Sequence, residues 1–153
     1  MANVKPIPDK YPQVTAYLCI DGASDAIVFY SKVLGATETV RMDAPDDKIG
    51  HAELSLGDSM IMLSDEFPEM GVQSPKTLGG SPVTMNVYVE DADAVFEKAV
   101  QAGAKPLRAV EDQFYGDRSG QFEDPFGHRW NVSSHIEDVT PDEMERRMEA
   151  MRD

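Results

Sequence analysis

The chain states one pattern twice. Residues 15–36, TAYLCIDGASDAIVFYSKVLGA, and residues 84–104, TMNVYVEDADAVFEKAVQAGA, each run through an apolar strand, an acidic break, a helix and a Gly-Ala exit. Thr15 aligns with Thr84, Ile20 with Val89, Ala23 with Ala92 and Gly35-Ala36 with Gly103-Ala104, once a single residue is skipped. An internal repeat points to a fold assembled from copies of one supersecondary unit.

The two helices fit that reading. Ala26, Ile27, Phe29, Tyr30, Val33 and Leu34 share one face at helical spacing, as do Val95, Phe96, Ala99 and Val100. Asp91 suits the cap of the second helix, and Gly35 and Gly103 suit a left-handed exit. After the first helix come a strand near Glu38–Met42, the loop DAPDDKIG, and two strands in HAELSLGDSMIMLSD around a Gly57-Asp58 turn. After the second come strands near Lys105–Val110, Arg118–Glu123 and His128–Ser134, the last two joined by Asp124-Pro125-Phe126-Gly127. Each half is therefore β-α-β-β-β. One module covers about residues 13–65 and the other about 82–136, joined by a linker at 66–81 long enough to act as a lid or binding loop.

A tail at 137–153 follows. Thr140-Pro141-Asp142-Glu143 spells a helix start, with a hydroxyl cap, Pro in first position and Glu to close a capping box. Met144, Met148 and Met151 then form an apolar stripe, which must cover either this chain's own body or a partner subunit.

Composition excludes several classes. Asp and Glu number 28 against 14 Lys and Arg, a net charge of −14. A field of that sign repels nucleic acid and anionic membranes, so neither is expected as a partner; it attracts cations or simply keeps the protein soluble. The single cysteine, Cys19, forms no intramolecular disulfide framework and no Cys-based zinc site. The opening MANVKPIPDKYPQ has prolines where a secretory signal needs an apolar core, and no apolar run approaches a membrane span. The expected location is the cytoplasm.

Paired β-α-β-β-β modules, with FYSKVLGA closing the first helix and EDPFGHRW before the last strand, resemble the vicinal oxygen chelate superfamily of glyoxalase I, bleomycin-resistance proteins and extradiol dioxygenases. The stretches GDSMIMLSDEFPEMG and YGDRSGQFEDPFGHRW are similar to its PhnB-like branch. The resemblance covers about residues 11–136, taken as one glyoxalase/bleomycin-resistance-like domain. It implies an α+β fold in which curved mixed sheets enclose a cavity, here with an added C-terminal helix, often in a homodimer. In metal-dependent members four ligands come from four strands. Those positions carry over to Thr15, Met62, Thr84 and Asn131. None is a His, Glu or Asp, and hard or borderline divalent metals need imidazole or carboxylate donors. The resemblance therefore implies the fold without its usual metal, and no cofactor is expected.

Strand alternation gives a candidate pocket. With Leu18, Leu54, Leu63 and Val87 turned toward the helices, Thr15, Tyr17, Cys19, His51, Glu53, Met62, Thr84, Asn86, Tyr88 and Asn131 share the opposite faces. A β-bulge would flip such a list. Tyr115 offers an aromatic wall, and Arg118 a cation for a ligand carboxylate. Glu53 is the sharpest candidate, opposite Met62 across the hairpin. It suits a general base, an anion for a cationic ligand, or one half of a shifted metal pair with His51; the plain alternative is a solvated sheet edge. His128 and His135 have no partner at ligand spacing, and Cys19 has no visible activating His.

Two classes of function follow. One is a metal-free protein that binds a small molecule. The other is an enzyme, either a metal-dependent lyase, isomerase or dioxygenase type with its site near His51 and Glu53, or a metal-free acid/base catalyst using Glu53.

Overall fold

The structure, a computed structural model, describes residues 3–153. Its elements run β1 (Ala16–Ile20), α1 (Ala23–Leu34), β2 (Thr37–Asp43), β3 (Ile49–Leu56), β4 (Ser59–Asp65), a 3-10 turn (Pro68–Met70), α2 (Pro75–Leu78), β5 (Thr84–Tyr88), α3 (Ala92–Gln101), β6 (Lys105–Asp112), β7 (Asp117–Glu123), β8 (Arg129–His135) and α4 (Pro141–Ala150). Two compact units result, one ending at Gly80 and the other spanning Ser81–Asp153.

Each unit is one βαβββ module with a mixed sheet. In the first the strand order is β1-β4-β3-β2, with β1 parallel to β4. In the second it is β5-β8-β7-β6, with β5 parallel to β8. Period-two alternation sends one face of each sheet to its helix. Leu18, Ile20, Leu54, Ile61 and Leu63 are buried with Ile27, Tyr30 and Val33 of α1. In the second unit Val87, Phe122, Trp130 and Val132 are buried with Ala99 of α3. The other face of each sheet is left for polar side chains.

The repeat extends to how each helix is tied to its sheet. Gly22, at the start of α1, is left-handed (φ 98°) and offers no side-chain cap. Asp65, ending β4, supplies one: Oδ1 accepts from the Gly22 and Ala23 N–H groups at 3.1 and 2.9 Å, and Oδ2 from Ile49 N–H at 2.7 Å. Ser134 holds the matching post on β8, accepting from Ala92 N–H at 2.9 Å and donating to the Val89 carbonyl at 2.8 Å. Asp91 caps α3 as expected, accepting from Ala94 N–H. The Asp124-Pro-Phe-Gly turn is held by the Asp124 carboxylate, which accepts from the Phe126 and His128 N–H groups and from Trp130 Nε1–H.

The expectation of sheets curved around a cavity is corrected here: neither sheet is strongly curled. Each is an open row of four strands, and register shifts occur only in the β2–β3 and β6–β7 pairs. The β1–β4, β3–β4, β5–β8 and β7–β8 pairs run without a shift, so bulge-driven bending stays at the margins. The tail also differs in detail. Thr140 caps α4 by accepting from Glu143 N–H, but the Glu143 carboxylate pairs with Arg146 and Arg147 instead of closing a capping box. Arg147 fastens α4 to the Phe114 carbonyl and to Glu137, while Met148 and Met151 stay exposed. No helix among the described residues is long and apolar enough to cross a membrane.

Candidate functional site

On the open face of the first unit, four side chains form a chain of hydrogen bonds. Glu53, on β3, is only 6% exposed. Tyr11 donates its hydroxyl to Glu53 Oε1 at 2.8 Å, and His51 Nε2 lies 2.8 Å from Oε2. An ionised carboxylate only accepts, so His51 carries its proton on Nε2. The other ring nitrogen, Nδ1, lies 2.8 Å from the Tyr17 hydroxyl. The His51 contact, with Tyr11 in support, pulls the Glu53 carboxyl below the usual carboxylate range against the opposing effect of burial. The Tyr11 phenol is raised in turn by the same carboxylate.

Beside this chain lies a mostly apolar concavity of about 450 Å³, lined by Tyr17, Gly50, Ser64, Phe67, Met70 and Val72. Its far wall is the linker, which is pinned by specific bonds. Phe67 and Val72 bridge backbone to backbone, and Lys48 reaches the Glu66 carbonyl at 3.2 Å. The Glu66 carboxylate accepts from Ser74 N–H and from the Thr77 hydroxyl. Cys19 is half-buried, and burial, with Glu66 and Asp65 nearby, pushes its thiol up to about 11, far from thiolate chemistry.

The open face of the second unit carries two polar groups. In one, Arg108 donates to the Ser119 carbonyl and hydroxyl and to Asn131 Oδ1, each within 3.1 Å. Asn131 Nδ2 donates onward to Asn86 Oδ1 and Ser133 Oγ. In the other, Asp117 accepts from the Tyr88 hydroxyl at 2.7 Å and from His135 Nδ1 at 2.9 Å, and His135 Nε2 lies 2.7 Å from Asp138. Two flanking carboxylates, Asp138 foremost, raise the His135 pKa.

The remaining expected residues fall as follows. Thr15 is half-buried just before β1, and Met62 stands opposite both Tyr17 and Glu53 in the register. Thr84 is exposed opposite Arg129. Tyr115 packs edge-on against Phe114, with ring centroids 5.3 Å apart. Arg118 is gripped by Asp93 of α3 and by Asp112, at 2.6 and 2.9 Å.

The four positions at which the resemblance implies metal ligands do not suit a metal here. Thr15, Met62, Thr84 and Asn131 supply two hydroxyls, a thioether and an amide, and the amide oxygen of Asn131 faces the Arg108 guanidinium at 3.0 Å. Among the described residues no group of three or more His, Cys, Asp or Glu side chains is placed to hold a metal ion. The expected pair, His51 and Glu53, bond to each other.

Sequence reasoning missed Tyr11, Arg108, Asp117 and the partners of His135. Arg108 was hidden by backbone geometry: register shifts flank it on both sides. Val110 lies beside Gly120 and Phe96 on the helix side, so unbroken alternation would put Arg108 there too. The shifted register turns it to the opposite face.

A mixed βαβββ pair with a polar open face is the architecture of one large superfamily. Residues 12–132 match the profile of the Glyoxalase/Bleomycin resistance protein/Dioxygenase superfamily, and the chain belongs to it. The Mycobacterium bovis protein Mb0911c is 41% identical over 145 residues, covering 93% of this chain and 95% of its own. The X-ray structure of the At5g48480 gene product from Arabidopsis thaliana superposes with a TM-score of 0.65 at 28% identity, over 80% of this chain and 98% of that one. The crystal structure of PA1353 from Pseudomonas aeruginosa gives 0.66 at 25% identity, over 82% and 99%.

Proposed function

We propose that this chain is a metal-free small-molecule-binding protein whose ligand sits in the concavity beside Tyr17, His51 and Glu53. The observation that carries the reading is an apolar concavity walled by Tyr17, Phe67, Met70 and Val72, whose Tyr17 is tied through His51 to the buried, ionised Glu53. A fixed anion beside apolar surface suits a planar or apolar cation, and the net charge of −14 draws cations toward it. On this reading the Tyr11 hydroxyl is the group that a ligand cation displaces from Glu53. The working form is a cytoplasmic homodimer of the PhnB-like branch, built on the 11–136 domain.

The test is fluorescence titration with the planar cation proflavine at fixed ionic strength. The reading expects saturable binding that Glu53→Gln weakens by about tenfold or more, the worth of a charge-assisted hydrogen bond. Equal affinity in both proteins would sink it.

One observation favours a second reading. Glu53 fixes the His51 tautomer and leaves Nδ1 at the Tyr17 hydroxyl, the arrangement of an acid/base pair aimed at the concavity. In that case Glu53→Gln keeps affinity and loses turnover, the opposite split.

A further inference from the structure

We infer that the open face of the second unit carries an oxyanion subsite centred on Arg108, suited to a carboxylate. A guanidinium only donates, so the Asn131 oxygen must turn to Arg108. That sends Asn131 Nδ2 to Asn86 and Ser133, and forces the Asn86 oxygen toward Asn131. The Ser133 hydroxyl also points at the Asn86 oxygen, at 3.5 Å. The amide acceptors of the cluster are thus spoken for from within. What it still presents are donors: the exposed Asn86 Nδ2, Arg108 Nε–H and one remaining terminal N–H of Arg108.

Rigidity supports the same conclusion. Ser119 and Ser133 are fully or almost fully buried, so the guanidinium and the amide row are anchored from below. A pre-anchored Arg loses little freedom on gripping an anion. The exposed Glu111 carboxylate lies 3.8 Å from Arg108 Nη1, beyond hydrogen-bond reach. Glu111 is the group such a ligand must push aside. Arg118 cannot take this role, because two aspartates already hold its fork. The subsite is independent of the Glu53 concavity and of what binds there.

The experiment is a nitrogen–proton correlation titration of the whole chain with sodium acetate against sodium chloride at matched ionic strength. Acetate should shift the Asn86 side-chain amide and Arg108 Nε–H signals saturably, where chloride does not. Arg108→Gln should abolish the Asn86 shift. Asn86→Ala, an exposed change that leaves the buried anchors intact, should weaken acetate by about threefold or more. Glu111→Gln should tighten it. Shifts that are linear, that chloride reproduces, or that survive in both Arg108→Gln and Asn86→Ala would overturn the inference.

Discussion

Glu53 is buried and ionised because two donors meet its two oxygens: Tyr11 at Oε1 and His51 at Oε2. Removing one donor leaves the other bond intact, so the effects separate. Tyr11→Phe removes the competing hydroxyl without changing charge, and proflavine should bind about two- to tenfold more tightly, the worth of one neutral hydrogen bond. The pH dependence has a fixed sign. A carboxyl held below its ordinary 4.5 contributes stability above that value and loses it as pH falls through the lower folded value. Denaturant titrations should therefore show a larger cost for Glu53→Gln at about pH 7 than at about pH 3. His135 works in the other direction. Its raised pKa contributes stability that is complete below 6.5 and fades as pH rises through the higher folded value, and His135→Gln should flatten that alkaline decline.

At the scale of elements, two glycines and one aspartate hold local geometry that no other residue reproduces. A Cβ on Gly120 would meet Val110 Cγ2 at 2.8 Å and the Arg108 carbonyl at 3.1 Å, in the strand pair whose register is already shifted. Gly120→Ala should cost about 1–3 kcal/mol in chemical denaturation. Gly116 is left-handed, and its Cβ would overlap the Glu137 carbonyl, so Gly116→Ala should cost more than Gly120→Ala. Asp124→Ala strands three donors, Trp130 Nε1–H among them, and should lower stability by about 3 kcal/mol or more. Much of this level was legible in advance. The repeat placed both helices and the order of strands, and alternation named Glu53, His51 and Tyr17 together. Alternation failed at Arg108, where a bulge resets the face. It had no purchase on Tyr11, which lies outside every regular element and reaches Glu53 only through the tertiary fold. His135 looked isolated because its partner Asp117 is far away in sequence and only the β7–β8 register brings them together.

For the molecule as a whole, the same architecture that holds a metal in some superfamily members is kept here with different donors. The first unit sets a buried carboxylate opposite Met62, and the second sets a guanidinium against Asn131. The net charge of −14 acts across the whole chain: self-repulsion should make stability rise with moderate sodium chloride, measured as a midpoint shift in urea. The most direct test of the central claim is the metal content of untagged protein by mass spectrometry, after dialysis against zinc, nickel, manganese and iron(II) in turn. The account predicts no stoichiometric retention of any of them. A stoichiometric metal that Glu53→Gln or His51→Gln releases would contradict it.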